Sequence, residues 1–170
     1  WLAPFGEIDP GRFWLMAELL FLDGLQARED GEMARARGDF ERARAILARV
    51  DQGKETLKRK VPIRAEEIVT YSPTTEKHVG ETMPLEQICE AAITLSDNTA
   101  GNLMLAALGG PDGFNAYVRS LGDGVTRLDR IEPALNEAAP DDPRDTTTPL
   151  AMIADLDAVL VGDALSRASR

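Results

Sequence analysis

At 170 residues, with 44% hydrophobic and 28% charged side chains, the chain is long enough for one domain with a real core and reads as a soluble globular protein. A net charge of −10 and a pI near 4.6 argue against nucleic acid or an anionic membrane surface as partner, since both need a basic face. Lys58-Arg59-Lys60 is too short a run to overturn that. The one cysteine, Cys89, permits no internal disulfide, and the one histidine, His78, leaves no His/Cys cluster for zinc, so neither metal nor cofactor is expected.

No apolar run approaches the length of a membrane span, and the first residues carry no basic stretch, so no signal peptide is visible. Asp9-Pro10 offers a cap and a first-turn proline. Phe13, Met16, Leu19, Leu20 and Leu25 then fall near a helical period, predicting a helix over 10–28. Gly31 and Gly38 interrupt. Asp39 is the candidate cap of a second helix over 39–52, with Phe40, Ala43, Ile46, Leu47 and Val50 on one face and Gly53 at its end. Together these make an N-terminal helical hairpin over 1–49. Its stretch Ala-Arg-Gly-Asp-Phe-Glu-Arg-Ala-Arg-Ala (36–45) resembles the second half of a tetratricopeptide-type repeat, although one hairpin cannot make a solenoid.

Thr82 is a candidate cap for a helix over 84–95 that puts Leu85, Ile88, Cys89, Ala92 and Ile93 on one face, which makes Cys89 a core thiol. A strongly apolar helix follows over 99–108, closed by Gly109-Gly110. Another spans 111–121 with Phe114, Tyr117, Val118 and Leu121 inward. The segment 126–148 breaks the pattern with prolines and acids, as functional or solvated loops do. Thr148-Pro149 caps a last helix over 149–161, and Asp163 to Arg170 begins a further turn. No convincing alternating strand is found, so the fold class is all-α.

Two short motifs flank this helical unit. Ser96-Asp97-Asn98 would by itself be a turn or a helix cap, and Glu132-Pro133-Ala134-Leu135-Asn136 a helix-ending loop. In register, however, they resemble the S-D-N and E-P-x-L-N elements of the class A serine β-lactamases, within the penicillin-recognising serine hydrolases. The resemblance covers 50–170. Val50-Asp51-Gln52-Gly53-Lys54-Glu55 is similar to the end of that family's nucleophile-bearing helix, and Tyr71-Ser72-Pro73 to a loop whose aromatic lines the substrate entrance. His78 matches no catalytic position and reads as structural or surface.

The resemblance implies the helical lobe of such an enzyme, a β-lactam as ligand, and an Ω loop closed by Arg130 and Asp145. It makes Glu132 the base for water, Asn136 its second holder, Ser96 the shuttle to the leaving nitrogen and Asn98 a donor to the substrate side-chain amide. Asp97 and Pro133 belong to the framework. Such enzymes serve antibiotic resistance and are typically periplasmic or secreted.

The same resemblance exposes two gaps. Counted back from Ser96, the nucleophile position falls on Ala36 and its lysine on Asp39. The only serine before Ser96 is Ser72, followed three residues later by Thr75, so no S-x-x-K exists. No K-T-G element follows either, and the site reads as truncated and inactive in the isolated chain. The alternative is a non-catalytic helical interaction module, or a chain whose partner covers the surface left by the sheet lobe and completes the site.

Overall fold

Helix α1 (Glu32–Asp51) carries the apolar stripe Ala43, Ile46 and Leu47 into the centre of the molecule. This is a computed structural model, and it describes residues 32–137 and 139–169. The helix expected over 10–28, and hence the hairpin it would form, lies outside these residues. The expected start at Asp39 is corrected, because α1 runs unbroken through Gly38 and Asp39. A helical glycine costs only about 1 kcal/mol, less than the core burial that continues the helix. Asp39 does not cap, because its carboxylate bonds Arg42 one turn on. At the far end Gly53, with φ +68°, turns the chain out of the helix.

Two three-residue strands follow, β1 (Lys60–Pro62) and β2 (Thr82–Pro84), antiparallel with buried Val61 opposite buried Met83. Thr82, expected as a helix cap, is therefore a strand residue. Helix α2 (Leu85–Leu95) starts without a side-chain cap, because the carbonyls of Arg59 and Leu57 accept from the N–H groups of Leu85 and Glu86, each at 2.9 Å.

Helix α3 (Asn98–Leu108) is the axis of the fold and packs on α1, α2 and α4 (Gly110–Ser120). Ala100, Leu103, Met104, Leu105 and Leu108 are all buried, as a helix covered on several sides requires. The α3–α4 turn is tight. A Cβ on Gly113 would sit 1.9 Å from the Leu108 carbonyl oxygen, so only glycine fits there. Helix α5 (Pro149–Leu160) is capped by Thr148 and buries only Asp155 and Val159 fully, leaving Leu150, Ile153 and Val161 exposed. Among the described residues the fold is all-α apart from the β1–β2 ribbon. Cys89 is fully buried in α2, and burial pushes its thiol up to about 12. None of the described helices is long and apolar enough to cross a membrane.

Candidate active site

Between α2 and α3 the chain turns sharply. Ser96 adopts the left-handed conformation at φ +51°, so α2 stops and α3 restarts at once. Asp97, only 1% exposed, caps α3 by accepting from the Ala100 N–H at 2.9 Å. Its carboxylate also accepts from the N–H groups of Thr74 and Thr75, both at 2.9 Å, and from the Thr75 hydroxyl at 2.8 Å. One buried side chain thus joins the helix start to the loop after Tyr71. Asn98 strengthens that joint, donating from Nδ2 to the Thr70 carbonyl at 2.8 Å and from its N–H to Tyr71 O at 3.0 Å. Tyr71 stands out into solvent, 60% exposed, on a backbone with φ +62°.

Further along α3, Asn102 grips the second motif. Its Oδ1 accepts from the Glu132 N–H at 2.8 Å, and its Nδ2 donates to the Glu132 carbonyl at 3.0 Å. The Glu132–Pro133 peptide bond is cis. The Glu132 carboxylate, 3% exposed, is held from two sides: Asn136 Nδ2 donates to Oε2 at 2.6 Å, and an Arg42 guanidinium nitrogen to Oε1 at 3.3 Å. Arg42 in turn donates to Asp39 at 2.6 Å, and its Nε has no partner. A Cβ on Gly101 would lie 3.1 Å from Asp39 Oδ1 and 3.6 Å from both Arg42 and Glu132, so the three charges converge over one bare spot on α3. Burial raises the Asp39 carboxyl to about 6; Arg42 opposes this and Glu132 adds to it.

Beyond Glu132 the loop is closed by a clasp. Arg130 Nε donates to Asp145 Oδ2 at 2.5 Å, and Asp145 Oδ1 accepts from the N–H groups of Asp129 and Arg130 at 2.7 and 2.9 Å. Arg130 also reaches the Glu137 carbonyl at 2.8 Å. Asp145 is the more enclosed member, its side chain 4% exposed. Since two N–H groups would still hold Asp145, Arg130→Ala is expected to cost about 1.5–3 kcal/mol, the range for a hydrogen bond to a charged group. It should also make 130–145 the first segment nicked by protease while the helices persist. Asp145→Ala strands the Asp129 and Arg130 amides and leaves the guanidinium only Glu137, so it should cost more. Equal nicking rates before and after the Arg130 substitution would exclude a clasp.

The model of the β-lactamase enzyme family matches residues 43–170 of this chain. The chain belongs to that family. Its described helices superpose on class A members. An ancestral Gram-negative class A β-lactamase is 62% identical, with a TM-score of 0.76, over 81% of this chain and 52% of that one. The class A β-lactamase of the last common ancestor of Gram-negative bacteria is 60% identical, also at 0.76, over 81% and 52%. The putative class A enzyme PenP from Rhodopseudomonas palustris is 58% identical, again at 0.76, over 79% and 52%. This chain therefore spans about half the length of the class A β-lactamases it matches, and what it shares with them is their helical lobe.

Within this β-lactamase lobe, Asn98, Asp97 and Tyr71 meet at one joint, while Glu132, Asn136, Arg42 and Asp39 meet at another. Helix α3 links the two. The His78 ring bonds the Glu81 carboxylate at 2.8 Å and no residue of either joint. Sequence reasoning missed Asn102, Arg42 and Gly101. Asn102 was within reach, because it stands four residues after Asn98 on the same face of an otherwise apolar helix. Arg42 offered no such sign, since an arginine in a charged run ordinarily faces water.

Proposed function

We propose that this chain carries the water-holding and leaving-group portions of a class A β-lactam site in a form that does not acylate. The observation that carries this reading is the ion pair of Asp39 and Arg42 set against Glu132. In an acyl-transfer site a serine attacks the lactam carbonyl, a basic group takes its proton, and a glutamate-held water later cleaves the ester. Helix α1 contains neither serine nor lysine. Glu132, joined to a guanidinium that cannot give up its proton, keeps an acceptor for water but lacks a nucleophile to share protons with. Ser96 and Asn98 remain as donors for a lactam nitrogen and a side-chain amide. In this reading a β-lactam is bound at most, and by itself the chain protects nothing from it.

The expected result is no hydrolysis of a chromogenic cephalosporin above a buffer control, and no mass increase after incubation with a penicillin. Ala36→Ser combined with Asp39→Lys should not rescue activity, because a lysine at 39 would set its ammonium beside the buried Arg42. Turnover that is lost on Glu132→Ala, or an acyl adduct on the intact chain, would overturn this reading. A second reading, in which another chain covers this lobe, is favoured by the exposed Leu150, Ile153 and Val161. It predicts a partner-dependent rise in turnover rather than activity in the chain alone.

A further inference from the structure

Tyr71 combines two features that rarely go together. Its side chain is mostly in solvent, yet its backbone sits at φ +62°, where a residue with a Cβ is strained. Such a conformation persists only where its surroundings over-determine it. With most of the ring in water, the restraint has to come from the backbone on either side.

Two buried hydroxyls supply it. Thr99, in the first turn of α3, and Ser72 are both buried, and their hydroxyl oxygens lie 2.7 Å apart. The Ser72 hydroxyl donates to the Val69 carbonyl at 2.9 Å, and the Val69 N–H donates to the Thr99 hydroxyl oxygen at 3.0 Å. A hydroxyl has one proton to give. With that of Ser72 on Val69, the Thr99 proton goes to Ser72, its nearest acceptor, ahead of the Glu67 carbonyl at 3.4 Å. The result is a closed ring in which two side chains serve both polar groups of Val69. The Thr99 N–H adds a bond to Ser72 Oγ at 3.3 Å. Asn98 takes the two residues between, donating to the Thr70 carbonyl at 2.8 Å and to the Tyr71 carbonyl at 3.0 Å.

We propose that Thr99 and Ser72 are positioning residues for Tyr71: their hydroxyl ring on Val69 fixes the strained turn that holds the Tyr71 side chain out into solvent beside Asn98. Relaxing Tyr71 to negative φ has to rotate the Thr70–Tyr71 peptide away from Asn98 or lift Ser72 from its buried place. The ring blocks the second route and, by fixing Val69, stiffens the first. That Tyr71 meets a ligand rests on the site reading above; that these hydroxyls hold it does not.

Nuclear magnetic resonance of the intact chain without ligand tests this, so it can fail while the site reading stands, and the reverse. Thr99→Val keeps the branched shape and removes the hydroxyl. The amide–Hα coupling and carbon shifts of Tyr71 should then move from their positive-φ values toward extended ones. The Asn98 amide, whose acceptor is the Tyr71 carbonyl, should exchange about tenfold faster, while the amides of 103–105 deeper in α3 keep their protection. Ser72→Ala opens the ring at its other hydroxyl and should give the same pattern, which provides a second variant should the first fail to fold. Thr99→Ser retains the hydroxyl and should restore both readouts. Three results overturn the positioning role: Tyr71 at positive φ with unchanged Asn98 exchange in both ring-opening variants, a loss of protection that includes 103–105, or a Thr99→Ser variant that behaves like Thr99→Val.

Discussion

Arg42→Ala should be among the most damaging single substitutions in the protein, costing about 3–5 kcal/mol. Arg42 is only 2% exposed and stands between two carboxylates, Asp39 at 2.6 Å and Glu132 at 3.3 Å. Removing it strands both in a site with little water, and Asn136 can satisfy just one oxygen of Glu132. Desolvation, not the attraction itself, sets the size of the effect. Replacing the whole triad with Asp39→Leu, Arg42→Met and Glu132→Gln should therefore leave stability unchanged or raise it by about 1–4 kcal/mol, since no buried charge then needs a partner. Urea unfolding of the two variants checks this. A loss in Arg42→Ala of only about 0–1 kcal/mol, the value of an exposed pair, would mean that the triad is solvated.

The same triad fixes the sign of one pH effect. Because burial raises Asp39 to about 6, the native state holds a proton there that the unfolded chain has already released. This contribution makes stability fall as pH rises from about 4 to about 6 and leaves it flat above. Asp39→Asn should remove that part of the slope.

Asp97→Ala is the second large effect, expected at about 4 kcal/mol. The carboxylate serves four donors: the N–H groups of Thr74, Thr75 and Ala100, and the Thr75 hydroxyl. Each buried donor left without an acceptor costs about 1–3 kcal/mol, and loss of a helix cap alone costs about 1. Relaxation of the loop recovers part of that sum. Asp97→Asn should rescue poorly, since one oxygen can still cap α3 but the amide would turn its own N–H groups toward those of Thr74 and Thr75. The expected readout is a lower unfolding midpoint, together with faster amide exchange at Thr74, Thr75 and Ala100. An asparagine variant as stable as the parent would show that Asp97 acts as a cap and nothing more.

The helices α2, α3, α4 and α5 were legible because each agrees with itself at two levels, a cap or breaker at its end and an apolar period between. Ser96-Asp97-Asn98 and Glu132 to Asn136 were legible as motifs because chemistry demands particular side chains in a particular order. Helix α1 was misjudged at its start. Gly38 and Asp39 look like a stop and a cap, and nothing local reveals that the helix continues because the core already holds Ile46 and Leu47.

The sequence by itself determined the helix-dominated class, the buried thiol of Cys89 and the lack of a serine or lysine in α1, since periodicity and residue identity need no third dimension. Only the tertiary structure decided the surroundings of Glu132, a guanidinium from α1 on one side and a carboxamide on the other. It alone showed that the Asp97 carboxylate ties the start of α3 to Thr74 and Thr75. Both are contacts between residues distant along the chain, brought together by the packing of α1 on α3 and of the loop after Tyr71 against the start of α3. Their energies come from desolvation, which depends on what surrounds a charge and is written nowhere in its neighbours along the chain.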